Sequence, residues 1–192
     1  IALDAMGSDF APEPELTGAH LALEEDKNLE IILIGKEEFL RNFIRERFPF
    51  LLPDNLILQS GGERSRGLFP VKLYPAEDVI SMHDSPTDAL RKKPNSSLGN
   101  AISLLKEKKA DAVVSAGNTG ALIAFSLNTL GRIPGVLRPA LAILLPNVSG
   151  YSLLTDVGAQ PAPKPIHLLQ FAKWQVSSPP IFSIRLTRGL HS

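Results

Sequence analysis

The sequence predicts an α/β fold in which a parallel or mixed β-sheet carries helices on both faces. Short apolar runs alternate with segments of helical period from Ile1 to about Trp174. The run from Glu30 to Gly35 is a continuous apolar strand closed by glycine, as expected of a parallel strand covered on both faces. The 192 residues are 44% hydrophobic, which is enough to bury one large core. Because the alternation stops at Ser177, we expect an α/β domain over residues 1–176 and an unpatterned tail over residues 177–192.

The first half of the chain contains three predicted strands, at residues 1–4, 30–35 and 55–59. Each of the first two strands is followed by a segment whose apolar residues recur at helical spacing. The residues of these apolar stripes are Leu16, Ala19 and Leu23 in the first segment and Phe39, Leu40, Phe43 and Ile44 in the second. Residues 60–75 are rich in glycine, proline and charge and have no clear period, so we expect a loop there.

The second half of the chain starts with a predicted helix at Ser85. A hydroxyl at the N-cap, Pro86 at the first helical position and Asp88 in the first turn form a helix-start pattern. The remaining predicted elements are a helix around residues 101–105, strands at 111–115, 140–146 and 152–156, and a helix over 165–171.

Composition excludes several classes of function. Twenty basic and twenty acidic residues cancel, and the longest basic cluster is short, so we do not expect nucleic acid as a partner. The lack of cysteine excludes disulfides and thiol catalysis, and the four histidines are too scattered for metal-ligand spacing, so we expect no metal. No apolar run approaches the roughly 20 residues that cross a bilayer, and no signal-peptide pattern opens the chain, so we expect a cytoplasmic protein.

Three glycine-containing turns follow predicted strands: DAMGSD at 4–9, SAGNTGA at 115–121 and DVGAQ at 156–160. In open α/β sheets, ligands collect outside the carboxyl ends of the strands, where helix N-termini and loop amides point. In the second turn, Gly117 and Gly120 allow the backbone to approach an anion, and Asn118 and Thr119 offer donors. This predicts a site for phosphate or an oxyanion. A second interpretation stays open, in which the glycines only make a tight turn and Asn118 caps the helix.

Charged side chains near these turns are further candidates, each with a structural alternative. Asp4 and Asp9 would place carboxylates at the same rim, although Asp9 is also explained as a residue that ends the strand. Arg132 and Arg138 have the fork-shaped donors that bind phosphate, although solvated surface arginines are the commoner outcome.

Lys164 and His167 lie three residues apart at a predicted helix start. Both would face the turn at Asp156, where the histidine is a candidate for moving a proton. The structural alternative is that His167 packs against its neighbours or caps the helix, which is the more frequent role of a lone histidine.

Taken together, six segments resemble the phosphate acyltransferase family known as PlsX. They are DAMGSDFAP at 4–12, DSPTDALRKKPNSS at 84–97, SAGNTGAL at 115–122, GRIPGVLRPALAILLP at 131–146, DVGA at 156–159 and KPIHLLQFA at 164–172. The likeness covers nearly everything from Ile1 to about Ala172. The resemblance implies a three-layer α/β/α Rossmann-like sheet similar to that of the phosphotransacetylase and isocitrate-dehydrogenase-like group.

The family converts an acyl group on acyl carrier protein, with inorganic phosphate, into an acyl phosphate for phospholipid biosynthesis. The resemblance therefore implies an acyltransferase of fatty acid metabolism that requires no cofactor, forms a homodimer and associates peripherally with membrane. Phosphate must be aimed at the thioester carbonyl, and donors must meet the developing oxyanion. On this basis, we assign catalytic roles to Asn118, Lys164 and His167. The predicted substrate-binding and phosphate-binding residues are Asp4, Gly7, Ser8, Asp9, Ser115, Gly117, Thr119, Gly120, Arg132, Arg138, Asp156 and Gly158.

Three departures from the family pattern bear on activity. Ser8 stands where the family has glycine, which requires a negative φ at that position. The chain reads DVGAQPAPKPIHL where the family resembles DVGANVDAKPEHL, so Gln160 replaces a shorter amide, and Ala162 and Ile166 replace two acids. The family continues for a further large segment, so we expect this chain to be the N-terminal part of a truncated member.

Two other functions stay open. The first is a catalytically inactive fragment that binds acyl carrier protein or a partner subunit, which the altered 156–167 segment favours. The second is a nucleotide-dependent dehydrogenase, since a related fold is shared, but no GxGxxG pattern follows a strand in this chain.

Overall fold

The computed structural model describes residues 1–51, 71–148, 150–157 and 163–177, and for residues 174–177 the backbone alone. The chain divides into two compact units, Ile1–Gly131 and Arg132–Ser192. The predicted strand at 55–59, the predicted loop at 60–70, Gly158 and the predicted tail beyond Ser177 lie outside the described residues, and the domain boundary at 176 stays a prediction.

The first unit is built on a parallel four-stranded sheet. Its strands are β1 (Ala2–Asp4), β2 (Ile31–Gly35), β3 (Val71–Pro75) and β4 (Val113–Val114), in the order β3-β2-β1-β4. In the register of the sheet, Leu3 of β1 lies opposite Leu33 of β2 on one side and Val114 of β4 on the other. The carboxyl ends of β1 and β4 therefore meet at one edge of the sheet, where ligands bind in folds of this kind.

Helices cover both faces of this sheet, as alternation along the strands requires. Leu3 and Leu33 belong to one apolar cluster, with side chains from α1 (Glu13–Glu25) and α2 (Glu37–Arg47). Ala2 and Ile34 point to the opposite face, where they pack with residues of α4 (Ser97–Lys106). Helices α3 (Pro86–Lys92) and α5 (Thr119–Thr129) pack with α4 in a third cluster. Each fully buried leucine or isoleucine in these clusters stabilises the fold by about 1.5–3 kcal/mol relative to exposure.

The second unit contains a hairpin and a helix. Strands β5 (Ala142–Asn147) and β6 (Gly150–Thr155) pair antiparallel in a sheet of their own, and α6 (Pro165–Ser177) follows. On one face of the hairpin, Ile143 pairs with Leu154, and both side chains are exposed. On α6, His167 and Phe171 are buried one helical turn apart.

The α/β fold class is confirmed, with a parallel sheet and helices on both of its faces. The predicted helix start at Ser85 is also confirmed, because the Ser85 hydroxyl accepts a hydrogen bond from the Asp88 amide at 3.2 Å. The loop prediction is wrong for residues 71–75, which form β3 and pair with β2 over their whole length. β3 lies at the edge of the described sheet, and one of its sides is polar. Lys72 and the terminal Pro75 therefore hide the strand pattern of its apolar residues in the sequence. No helix of the described ranges is long and apolar enough to span a bilayer.

Replacing either of two helical glycines, Gly99 and Gly18, by alanine should change the free energy of unfolding, with opposite signs. A Cβ at Gly99 of α4 would collide with the Pro94 carbonyl oxygen and lie 2.9 Å from Cε1 of Phe125. A Cβ at Gly18 of α1 meets no heavy atom within 4 Å. We therefore expect Gly99→Ala to lower the free energy of unfolding by about 1–3 kcal/mol through overpacking. Gly18→Ala should raise it by about 0.5–1 kcal/mol because alanine favours the helix.

Urea denaturation of the 192-residue chain, followed by circular dichroism, measures both changes. Equal effects of the two substitutions would contradict the assignment of Gly99 as the point of close contact between α4 and α5.

Candidate functional site

The candidate site is formed by two turns at the carboxyl edge of the parallel sheet. The first turn, residues 5–9, leaves the end of β1, and the second, residues 115–118, leaves the end of β4. Because β1 and β4 are neighbouring parallel strands, the two turns are adjacent although 111 residues separate Asp4 from Ser115. The structure thus brings together the site residues predicted at 4–9 and at 115–120.

The two turns are in backbone contact through a pair of glycines. A Cβ on Gly7 would lie 2.7 Å from Oδ2 of Asp4 and 3.0 Å from the amide nitrogen of Gly117. A Cβ on Gly117 would lie 3.1 Å from both Cα and the carbonyl oxygen of Gly7. Neither glycine has a positive φ. Close approach of the two backbones, rather than an unusual backbone conformation, is therefore what requires glycine at these positions.

The carboxylate of Asp4 connects the two turns from inside the protein. Asp4 is 2% exposed, its Oδ2 accepts a hydrogen bond from the Ser115 hydroxyl at 2.8 Å, and its Oδ1 accepts one from the Met6 amide at 3.2 Å. The Ser115 oxygen in turn accepts the amide of Gly117 at 3.1 Å. One chain of hydrogen bonds therefore runs from Asp4 through Ser115 to the backbone of the second turn.

Burial raises the pKa of the Asp4 carboxyl above its usual value of 3.8, because a buried carboxylate loses its hydration. Hydrogen bonds from Ser97, Ser115 and the Met6 amide act in the opposite direction, and the charge of Glu15 adds to the rise. The net direction shows that desolvation outweighs the hydrogen bonds. Ser97, at the first position of α4, is a contact that the sequence analysis missed.

The first turn is fastened to α1 by a second buried carboxylate. The Ser8 amide donates to Oε1 of Glu15 at 3.1 Å, and Glu15 is 6% exposed. Ser8 has no positive φ, which meets the condition under which serine replaces the glycine of the family pattern. Within the part of the chain that the structure describes, the Ser8 hydroxyl and Oε2 of Glu15 are buried without a hydrogen-bond partner. Asp9 is exposed at the end of this turn.

Asn118 has two structural tasks at the start of α5. Its Oδ1 accepts the Ala121 amide at 3.0 Å and so caps the helix. Its Nδ2 donates to the carbonyl oxygens of Ser81, Met82 and Asp84 at 3.2, 3.2 and 3.0 Å. The helix-capping interpretation of Asn118 is therefore confirmed. In addition, this side chain holds residues 81–84 beside the helix N-terminus.

The segment at residues 81–84 is itself braced. Oδ2 of Asp84 accepts the Ser81 amide at 2.8 Å and the Lys93 ammonium at 2.6 Å, and Lys93 also donates to the Val79 carbonyl at 2.9 Å. The hydrogen bond from Lys93 is the main cause that lowers the pKa of Asp84 below its usual value. The role of Lys93 was not predictable from the sequence, because a contact over this separation leaves no periodic signal.

Thr119 and Gly120 form the first turn of α5. Thr119 is exposed, and a Cβ on Gly120 would lie 2.8 Å from Cγ of Pro86, so Gly120 lets α3 approach α5. The first backbone amides of a helix have no partner within it and carry a partial positive charge. Together with the two glycine contacts, this arrangement is suited to holding an anion beside Thr119.

The other predicted site residues belong to the second unit. Nη1 of Arg132 donates to the Leu137 carbonyl oxygen at 2.8 Å, and Arg138 is exposed. Nδ1 of His167 accepts the Lys164 amide at 3.1 Å, and the ring is 7% exposed, so the histidine packs and caps α6 as the structural alternative proposed. Lys164 itself is exposed.

Asp156 ends β6 in the left-handed region of the backbone, with φ of 67°. Its amide donates to the Leu141 carbonyl oxygen at 2.7 Å, which closes the hairpin at this end. Non-glycine residues seldom adopt this conformation, and aspartate is among those that tolerate it. Among the described residues, no group of three or more His, Asp or Glu side chains is placed to hold a metal ion.

The amino-acid sequence is similar to those of a known protein family. Residues 1–177 match the family described as fatty acid synthesis protein. A phosphate acyltransferase from Thermodesulfovibrio yellowstonii is 41% identical over 172 residues, which are 90% of this chain and 44% of the relative. Phosphate acyltransferases from Halothermothrix orenii and Heliobacterium modesticaldum are 42% and 45% identical, over 90% of this chain and 46% of each relative. The chain thus spans about half the length of the curated relatives it matches.

The raised pKa of Asp4 predicts a pH-dependent effect of Asp4→Asn. The unfolded chain releases the Asp4 proton near pH 3.8, whereas the folded chain retains it to higher pH. The stability that the protonated folded carboxyl contributes is therefore lost as pH rises from 3.8 through the folded pKa. Since asparagine does not titrate, the free energy of unfolding of Asp4→Asn, relative to the unsubstituted chain, should rise over this window. Urea denaturation across the acidic to neutral range measures it.

Asp84→Asn is the matched control with the opposite sign. The pKa of Asp84 is lowered, so its contribution to stability is lost as pH falls below 3.8, and the substitution should matter most at the higher pH. Parallel pH profiles for the two variants would refute the assigned directions.

Asn118→Asp separates the two tasks of this side chain. The substitution keeps an oxygen that caps α5 but removes the amide donor and sets a carboxylate against the Ser81, Met82 and Asp84 carbonyls. We expect the free energy of unfolding to fall by about 1–3 kcal/mol and amide hydrogen exchange to accelerate at residues 81–84. Asn128→Asp, the same exchange at an exposed position of α5, is the control. Unchanged exchange at residues 81–84 in Asn118→Asp would show that Asn118 does not hold them.

Proposed function

The chain belongs to the fatty acid synthesis protein family, and we propose that it acts as an acyltransferase that makes acyl phosphate. The proposed substrates are an acyl group carried as a thioester on acyl carrier protein, and inorganic phosphate. Relatives named phosphate acyltransferase support this assignment. The activity stays a proposal, because the chain spans only about half the length of each relative.

The observation that supports this function best is the contact between the Gly7 and Gly117 turns beside the N-terminus of α5. Two turns and a helix start converge at the carboxyl edge of the sheet, where backbone amides and the helix dipole favour a dianion such as phosphate. The contact is braced by Ser115 and Asp4, so the amides are held in place before the ligand arrives. Such preorganisation is what stabilises charge in a transition state.

In the proposed reaction, a phosphate oxygen attacks the carbonyl carbon of the thioester. The new C–O bond forms as the C–S bond breaks, and the thiolate of the carrier leaves and takes up a proton. The oxyanion that develops on the carbonyl needs hydrogen-bond donors, and the backbone amides at the start of α5 are the proposed donors. Neither oxidation nor reduction occurs.

The residues of the first unit take two kinds of proposed role. Thr119 and the backbone of Gly7 hold phosphate, whereas Asp4 and Ser115 position the second turn, where the Gly117 amide donates to the Ser115 oxygen. Asn118 acts by orienting α5 against the 81–84 segment. Of the remaining predicted phosphate ligands in this unit, Ser8 and Asp9 border the first turn, and Gly120 lies in the first turn of α5.

The residues of the second unit have proposed roles that depend on charge. Arg132 and Arg138 supply positive charge to phosphate, and Lys164 with His167 neutralises the leaving thiolate or moves its proton. Asp156 and Gly158 stay predicted phosphate-binding residues. The homodimer, the peripheral membrane association and the cytoplasmic location are carried over from the resemblance and stay predictions.

The test measures loss of an acyl carrier protein thioester by the purified chain with and without inorganic phosphate, and traps the acyl phosphate with hydroxylamine. We expect phosphate-dependent product. Ser115→Ala should lower kcat/KM for phosphate by about 100-fold, because the amide of Gly117 loses the hydroxyl that fixes it.

Thr17→Ala removes a hydroxyl from the exposed side of α1, where in the described part of the chain it donates to the Glu13 carbonyl, and should leave turnover unchanged. A folded chain that binds acyl carrier protein but gives no phosphate-dependent product would refute the enzyme. That outcome would select the inactive binding fragment instead.

A further inference from the structure

A groove of about 340 Å³ lies between α1 and the face of the sheet formed by β1, β2 and β4. Nearly all of its lining is apolar, and its volume is within the range of pockets that hold small ligands. From the sheet side, the groove is lined by Leu3, Ile31 and Val114. Val114 is 49% exposed although it belongs to a strand of the central sheet, so an apolar part of this face is left open.

The α1 side of the groove is lined by small residues. Gly18, Ala19 and Ala22 line it, and a Cβ on Gly18 would meet no heavy atom within 4 Å. Glycine inside a helix is less stable than alanine. Packing between α1 and the sheet does not require it here, because the space above Gly18 is empty. Gly18 therefore adds no side-chain bulk to the α1 side of the groove.

The groove is continuous with the candidate site. Ala116 belongs to the second turn and also lines the groove, and Glu15 lines it while accepting the Ser8 amide of the first turn. From this end the groove follows α1 from Pro14 to Ala22, a distance of about 12 Å at the helical rise of 1.5 Å per residue.

At the end nearest the turns, Oε2 of Glu15 and the neighbouring Ser8 hydroxyl are both buried without a hydrogen-bond partner among the described residues. Glu15 is 6% exposed, and no donor among the described residues reaches its Oε2. A buried acceptor without a partner is unfavourable, which indicates that the groove receives a ligand with a donor at this end and an apolar body beyond it.

We propose that this groove holds the acyl chain of the thioester substrate, with the thioester at the two turns and the hydrocarbon along α1. The inference rests on the proposed function, since it places the acyl chain of that same reaction. An acyl thioester on a pantetheine arm has the required chemistry: an unbranched apolar chain, and amide N–H donors beyond the sulfur. A folded protein partner is less well matched, because a stable interface buries about 800 Å² and involves about 20–30 residues on each partner, whereas eleven residues line this groove.

The test fills the groove without touching the candidate site. Gly18→Leu and Ala22→Leu each add bulk to its α1 wall. Thr17→Leu adds the same side chain at the neighbouring exposed position, which does not line the groove. The probe is a dansyl-labelled undecanoic acid titrated into the full 192-residue chain, with circular dichroism to confirm that each variant is folded.

We expect the probe to bind the unsubstituted chain and Thr17→Leu equally, and to bind Gly18→Leu and Ala22→Leu at least about tenfold more weakly. In turnover, the two groove variants should lose activity with long acyl chains more than with butyryl. Equal probe binding by all four proteins would overturn the inference. So would a dimer of the unsubstituted chain that Gly18→Leu dissociates while probe binding is unchanged, because the groove would then be a protein interface.

Probe binding requires neither phosphate nor turnover, so the two proposals fail separately. Phosphate-dependent turnover that is insensitive to Gly18→Leu at every chain length would overturn the groove alone. Probe binding that depends on Gly18, in a chain without phosphate-dependent turnover, would overturn the acyltransferase and leave a fatty-acyl site.

Discussion

The backbone contact between Gly7 and Gly117 is the constraint on which the candidate site depends. Any side chain at either position would push apart two turns whose atoms already lie at van der Waals contact. The distance between the turns is set by the pairing of β1 with β4, since both turns leave the sheet directly from those strands. A parallel sheet therefore determines more than the location of the site. Its inter-strand spacing determines how closely the amides of the two turns approach one another.

Burying the Asp4 carboxylate beneath this contact costs free energy of hydration, and the hydrogen bonds of Asp4 show what the burial achieves. Asp4 cannot be replaced by an apolar residue without leaving the Ser115 hydroxyl and the Met6 amide without their acceptor. Loss of hydration is still the largest influence on the pKa of Asp4, so burial disfavours the charged form of this carboxyl. The result is a turn whose backbone is already held by hydrogen bonds in the absence of a ligand. A flexible glycine turn would instead lose conformational entropy each time it closed on an anion.

Much of the fold was predictable because it depends on local patterns. The continuous apolar run at 30–35 and the 3.6-residue spacing of Leu16, Ala19 and Leu23 each specify an element without reference to the rest of the chain. The strand at 71–75 was missed because an edge strand with one polar side resembles a charged loop. The candidate site was predictable only as a set of turns. The contacts of Ser97 with Asp4, and of Lys93 with Asp84, join residues that no periodicity relates.

Asn118 shows why the two interpretations of the second turn are compatible. A capping residue needs only an acceptor, so serine, threonine or aspartate would serve α5 equally well. The three carbonyls at residues 81–84 need donors in the same side chain, and asparagine combines an acceptor oxygen with two N–H donors on a separate atom, whereas a hydroxyl has a single donor. Capping therefore does not compete with a role in the site. The same side chain that starts α5 also fixes the loop beside it, so the N-terminus of α5 is held from two directions.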